Sequence, residues 1–162
     1  MNETELQLSA AKYCKLTGSS LIPNPALGHG TDGSVWRTSN KTAVKAFYRA
    51  KNFQDELECY QRLKIAEITQ IRELAVPTLE GSSCDLLVIE MSIVQRPYLL
   101  DFGKVYIDRP PPYRNDSQLM QNWHAEMREL FEEKVSDVFI VLYRLEKLGI
   151  YYVDPKPANI RF

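Results

Sequence analysis

The spacing of apolar residues changes along the chain, and each spacing predicts an element. Residues 3 to 16 predict a short amphipathic helix ending before Gly18. The segment "SSLIPNPALG" carries two prolines and predicts extended or irregular backbone. Residues 33 to 48 predict a β-hairpin: "GSVWRT" and "KTAVKAFY" are rich in β-branched and aromatic residues, with "SNK" as the turn. "KNFQDELECYQRLKIAEITQI" predicts a helix whose apolar face is Phe53, Leu57, Tyr60 and Leu63. "AVPTLEG" predicts a short strand and a turn. "CDLLVIEM" predicts a buried strand, because its apolar run shows no alternation. "RPYLLDFGKVYI" predicts a further strand interrupted by Gly103, and "DRPPPYRND" reads as a stiff connector rather than a polyproline recognition segment. From Asp116 to Leu148 the pattern is helical: Leu119, Trp123, Met127, Leu130, Val138, Leu142 and Leu145 recur at helical spacing. Asp116 or Ser117 suits the cap, and Gly149 suits the C-terminal stop. One long helix, or two with a bend near Val135, both satisfy the pattern.

Composition narrows the classes. The 162 residues suit one domain, at most with two small lobes. Hydrophobic content of 44% and charged content of 25% are those of a globular chain, and a net charge of -1 gives no global field for nucleic acid or an anionic membrane. No apolar run approaches the roughly 20 residues of a membrane span. Cys14, Cys59 and Cys84 form no CxxC pair, which argues against a zinc site. With a polar, acidic N-terminus unlike a secretory leader, they read as reduced thiols in a cytoplasmic protein. His29 and His124 lack metal-ligand spacing, and a solvated side chain is expected of His29.

The polar residues that stand out are ordered. "GHGTDGSV" places glycines at 28, 30 and 33 and a valine at 35. Strand formers follow, so the glycines fall in a hairpin, where backbone N–H groups can approach a polyphosphate; a dinucleotide fold would need a helix there. Lys45 sits inside the apolar second strand. Glu56 comes eleven residues later on the amphipathic helix, on the side shared with Tyr60 and bordering Phe53, ahead of its neighbours Asp55 and Glu58. A strand lysine and a helix carboxylate so placed can form an ion pair. Near the C-terminus "YYVDPKPANIRF" holds Asp154, Lys156 and Asn159, which also satisfies plain turn chemistry.

Together these segments resemble the protein kinase-like superfamily, over roughly residues 20 to 162. "GHGTDGSV" is similar to that family's GxGxxGxV loop and "TAVK" to its AxK strand. "DELECYQRL" resembles the helix carrying the paired Glu, "LLVIEM" the strand leading into the hinge, and "LEKLGIYYVDPKPANIRF" the catalytic loop. The resemblance implies an α+β fold: an N-lobe and hinge over 1–92, of antiparallel sheet plus helix, and a reduced, helical C-lobe with the catalytic loop over 93–162. It implies ATP and Mg²⁺ as cofactors and transfer to a hydroxyl, of Ser/Thr or of a small molecule. Gly28, Gly30, Gly33, Val35, Lys45, Glu56, Glu90 and Met91 would bind the nucleotide, the last two at the hinge. Asp154 would orient the acceptor hydroxyl, Lys156 would neutralise the transferred phosphoryl, and Asn159 would ligate the metal. The alternative is a pseudokinase, a nucleotide-binding or protein-binding regulatory module. A protein substrate or a completing partner chain stays open, whereas nucleic acid and membrane are not expected partners.

The sequence departs from the family in three places. Tyr152 and Val153 stand where His and Arg are usual, so sensing of an activation-loop phosphate is not expected. Asp32 puts a negative charge at the loop tip. No DFG follows the catalytic loop; instead "YLLDFGKVY" places Asp101, Phe102 and Gly103 before the long helical region. Two readings compete. Asp101 and Gly103 are turn residues, or Asp101 returns to the metal beside Asn159 because "NIRF" pairs with "PYLLDFG". Backbone accounting favours pairing, since "NIRF" needs a neighbouring strand.

Overall fold

The computed structural model describes residues 2–162. It is an α+β protein. Helix α1 (Glu3–Leu16) begins with a capping box: the Asn2 side chain accepts from the Glu5 amide while the Glu5 carboxylate accepts from the Asn2 amide. Its buried stripe is Leu6, Ala10, Tyr13 and Cys14. Strands β1 (Leu21–Ile22), β2 (Gly28–His29), β3 (Gly33–Thr38) and β4 (Thr42–Phe47) follow, and then helix α2 (Ala50–Ile65). The hairpin β3–β4 forms where alternation predicts it, in the register Val35 opposite Lys45.

Helix α2 is shorter than its sequence pattern. Glu67 takes a left-handed backbone at φ 54°, and the Ile68 amide closes onto the Leu63 carbonyl, so the chain turns away into β5 (Gln70–Ile71) and β6 (Leu74–Ala75). Strands β7 (Leu79–Ser83) and β8 (Val88–Ser92) come next. The expected strand from Cys84 is half turn: Leu87 has φ 50°, and residues 84–87 link β7 to β8.

The strand expected across Gly103 is likewise two strands, β9 (Tyr98–Leu99) and β10 (Val105–Ile107), which belong to different sheets. The left-handed break falls at Asp101, φ 60°, a conformation that Asp tolerates better than most residues. The proline-rich connector ends in a short 3₁₀ turn, and Arg114 in it pairs with Glu146.

The helical region is two helices. Helix α3 (Ser117–Phe131) is capped by Asp116, which accepts from the Gln118 and Leu119 amides. A 3₁₀ turn at Glu132–Lys134 bends the chain into α4 (Val135–Glu146), and Gly149 ends the region at φ 72°. Leu119 and Leu130, expected on the apolar face, are 48% and 40% exposed; α3 turns Met127 and Phe131 inward and leaves those leucines at the margin. Strands β11 (Ile150–Tyr152) and β12 (Ile160–Arg161) complete the chain.

The main sheet runs β1-β3-β4-β8-β7 with β2 alongside β3, antiparallel throughout. A second sheet, β12-β9-β6-β5, joins "NIRF" antiparallel to "PYLL" through Ile160 opposite Leu99. A third pairs β10 with β11. Alternation divides the main sheet's faces. Trp36, Val44, Ala46 and Val88 pack under α1, whereas Ala43, Phe47, Ile89 and Met91 join the larger core with α2 and α4. No helix among the described residues is long and apolar enough to cross a membrane.

Candidate functional site: a cleft between the main sheet and the C-terminal loop

A cleft of about 680 Å³ opens on the α2 side of the main sheet. It is lined by the glycine loop (Gly28, Gly30, Gly33), by Val35, Lys45, Glu56 and Met91, and by Asp101, Asp154, Lys156 and Asn159 from the C-terminal half. Residues separated by more than a hundred positions thus face one space, and of the residues singled out from sequence only Glu90 lies elsewhere. In β8 the alternation sends Ile89 and Met91 to the cleft side and turns Glu90 toward α1. There its buried carboxylate accepts from Tyr13 Oη at 3.0 Å and from Thr42 Oγ1. The Glu90 side chain therefore points away from the cleft that Met91 lines.

The three glycines differ in their surroundings. A Cβ on Gly28 would meet nothing within 4 Å, and one on Gly30 only the Gly33 carbonyl at 3.8 Å. A Cβ on Gly33 would collide with the Ala46 carbonyl of the paired strand. Gly33 is required by the hairpin itself, whereas Gly28 and Gly30 leave the cleft rim free of side chains.

Lys45 is the electrostatic centre. Its side chain is 8% exposed, and its Nζ lies 2.6 Å from Glu56 Oε2 and 3.0 Å from Asp101 Oδ1. Burial opposes its charge, but the two carboxylates outweigh burial and hold the ammonium well above its ordinary range. Burial pushes Glu56 up to about 7 despite Lys45, with Asp101 and Asp32 adding repulsion. Asp101 is half-buried, yet Lys45, the Gly103 amide and Lys156 keep its carboxyl below the usual range. Asp32, at the loop tip, accepts from the Asn52 side chain on α2 and sits beside Gly103.

The C-terminal loop is held tightly. The Asn159 amide donates to Lys156 O at 2.8 Å, and the Asn159 side-chain Nδ2 donates to Asp154 O at 3.1 Å. Lys156 Nζ lies 2.7 Å from Asp154 Oδ2, and this bond raises the lysine's pKa. The Leu100 amide donates to Asn159 O at 2.8 Å, so the residue before Asp101 is tied directly to Asn159. Phe102 is fully buried, edge-on to Tyr60 and Tyr152 with ring centroids 5.3 and 5.8 Å away. Tyr152 donates its hydroxyl to Leu100 O at 2.9 Å and steadies the same segment.

No protein-family model matches the chain, and no curated protein matches it.

Among the described residues no group of three or more His, Cys, Asp or Glu side chains is placed to hold a metal. The donor set compatible with a cation is smaller and oxygen-based. Asp101 commits Oδ1 to Lys45 and keeps Oδ2; Asn159 commits Nδ2 to Asp154 and keeps Oδ1. One carboxylate and one amide oxygen suit a hard cation that takes its other ligands from phosphates and water.

Sequence reasoning missed Lys104, which lines the cleft 3.5 Å from Asp154 Oδ2, and Asn52, which holds Asp32. A cation directly after "DFG" was the available signal for Lys104; nothing in the sequence marks Asn52. His29, 55% exposed, places Nδ1 3.1 Å from both Ser34 Oγ and Glu3 Oε1, so it is solvated as expected and also links α1 to the glycine loop. The three cysteines are free thiols, Cys14 and Cys59 buried and Cys84 exposed.

Proposed function

We propose that the cleft is a nucleotide site and that the protein is an ATP- and Mg-dependent phosphotransferase of protein kinase-like type with a hydroxyl acceptor. On this reading the main sheet with α2 is a kinase-like N-lobe, Met91 begins the hinge, and residues 93–162 form a reduced helical C-lobe. The observation that carries the reading is the Leu100–Asn159 hydrogen bond, which sets Asp101 beside Asn159 in the cleft that also holds the Lys45–Glu56 pair, although Asp101 precedes Asn159 by 58 positions. A chance turn at "DFG" has no reason to meet the one Asn that the catalytic-loop pattern reserves for a metal.

Each residue then has a stated task. Gly28 and Gly30 let backbone N–H groups approach phosphate oxygens. Lys45, aimed by Glu56, neutralises the α- and β-phosphates. Asp154 orients the acceptor hydroxyl and takes its proton, and Lys156 neutralises the phosphoryl group in flight. Asp101 Oδ2 and Asn159 Oδ1 would hold Mg²⁺, which when bound supplies charge neutralisation between phosphates.

One contact favours the second reading, a regulatory nucleotide-binding module without transfer. Lys45 also holds Asp101, so the same lysine engages both the helix carboxylate and the proposed metal ligand.

A thermal-shift titration with ATP, with and without Mg²⁺, tests the site, because ligand stabilises by RT ln(1 + [L]/Kd). The expected result is a Mg-dependent rise in Tm that disappears in Lys45→Ala and loses its metal dependence in Asp101→Asn. No rise at millimolar ATP would sink the proposal. Asp154→Asn separates the two readings: binding persists, and any transfer activity falls by roughly 10²–10⁴.

A further inference from the structure

A second cavity, of about 570 Å³, adjoins the cleft at Lys104, which lines both. Val105, Tyr106, Ile107 and Val153 form half-buried apolar walls along the β10–β11 pair. The polar lining is strongly one-sided: Lys51, Lys104 and Arg109 face a single carboxylate, Asp55. Asp55 and Lys51 neutralise each other, the lysine Nζ reaching both carboxylate oxygens, so the excess charge of the lining is that of Lys104 and Arg109. Asp108, next in sequence to Arg109, is also taken, in a two-pronged pair with Arg62. Arg109 lies over the Tyr106 ring at 5.5 Å and has no ion pair among the described residues. In a chain of net charge -1 this is a local positive excess, bordered by apolar residues and beginning 3.5 Å from Asp154.

We infer that this cavity is the acceptor subsite of the phosphotransferase proposed above, and that it takes a small hydroxyl compound carrying a phosphate or carboxylate group. Arg109 would bind the anion, the apolar walls the carbon skeleton, and Lys104 would stand between the anion and the hydroxyl presented to Asp154. The volume falls in the range of about 300–1,000 Å³ usual for small ligands, which favours a small molecule over a protein segment. In the transfer the acceptor oxygen forms a bond to the γ-phosphorus, the bond to the bridging β–γ oxygen breaks, ADP leaves, and the hydroxyl proton passes to Asp154. A cationic acceptor is disfavoured by the same charges.

The inference rests on the phosphotransferase reading for its chemistry, but the anion site can be tested alone. The probe is glycerol 3-phosphate, with glycerol as the uncharged control, titrated into the full chain and followed by backbone amide NMR shifts. The expected result is saturating shifts at residues 104–107 and 153 with glycerol 3-phosphate and none with glycerol. Arg109→Gln, at an exposed position, should weaken binding by roughly tenfold or more, as loss of one charge-assisted hydrogen bond implies. Shifts confined to the glycine loop, equal response to glycerol, or affinity unaltered in Arg109→Gln would overturn the site. A phosphoserine peptide binding more than tenfold tighter than glycerol 3-phosphate would overturn the small-molecule assignment. If ATP produces no shift while glycerol 3-phosphate saturates at this cavity, the phosphotransferase reading fails and the anion site stands.

Discussion

The two faces of the main sheet bury one glutamate each, and they treat it differently. Under α1, Glu90 is surrounded by the apolar residues Trp36, Val44 and Val88 and is satisfied by hydroxyls from Tyr13 and Thr42. On the other face, Glu56 is opposite an ammonium, within a cleft that also holds Asp101 and Asp32. The first arrangement is closed: its acceptors are met by neutral donors and nothing opens to solvent. The second concentrates carboxylates around one lysine and leaves Asp101 43% exposed at the cleft wall. A fold that needs only to bury a carboxylate can do so with hydroxyls. Gathering two carboxylates, Glu56 and Asp101, on one buried ammonium at a cavity mouth has a cost that stability alone does not explain.

The largest expected effect follows from that cost. Lys45→Met removes the cation from a buried pair, which typically destabilises by about 3–5 kcal/mol, because the remaining carboxylate is left uncompensated. Chemical denaturation at pH 8, where Glu56 is ionised, should show that loss, and the double variant Lys45→Met/Glu56→Gln should recover most of it. A Lys45→Met protein as stable as wild type would remove the contrast between the faces.

The contrast was only partly legible in the sequence. The hairpin, the position of Lys45 within it and the helical placement of Glu56 follow from periods of 2 and 3.6, and the ion pair follows from the two together. The pairing of "NIRF" with "PYLL" was legible because unpaired backbone at a strand edge needs a partner. The facing of Glu90 was not, because a fully buried strand shows no alternation to say which way any residue points. The end of α2 at Ile65 was hidden for a related reason: Glu67 is an ordinary helix former, and its left-handed backbone is imposed by the turn into β5. Lys104 was readable in type but not in role, since only the tertiary fold brings it to Asp154.

Glycine substitutions sharpen the comparison within one loop. Gly33→Ala forces a Cβ against backbone of β4 and should destabilise by about 1–3 kcal/mol or more, as overpacking does. Gly28→Ala and Gly30→Ala have open space and should fold like wild type, so weaker nucleotide binding in them would report on the cleft alone. Equal melting temperatures for all three would refute the distinction. A smaller effect is expected on the closed face. Tyr13→Phe takes one donor from Glu90 and should cost about 1 kcal/mol in stability, with nucleotide affinity unchanged. A change in affinity would mean that the α1 face is coupled to the cleft.

The last effect is a pH slope, and its sign is set by Glu56. The folded-state carboxyl is raised by burial to about 7 from an ordinary 4.5. Between those values the folded chain holds a proton that the unfolded chain has released, so stability falls as pH rises through this window, by up to about 1.4 kcal/mol per unit. Asp101 acts in the opposite sense but elsewhere: its carboxyl is lowered below 3.8, so its contribution is present above that value and is lost in more acid solution. The two windows do not overlap. Denaturation free energies from pH 4.5 to 8 should therefore decline across the window in wild type, and Glu56→Gln should remove that part of the decline. Groups common to both chains cancel in the difference. If the two profiles run parallel, Glu56 is ionised throughout, and the lysine rather than the burial governs the cleft face.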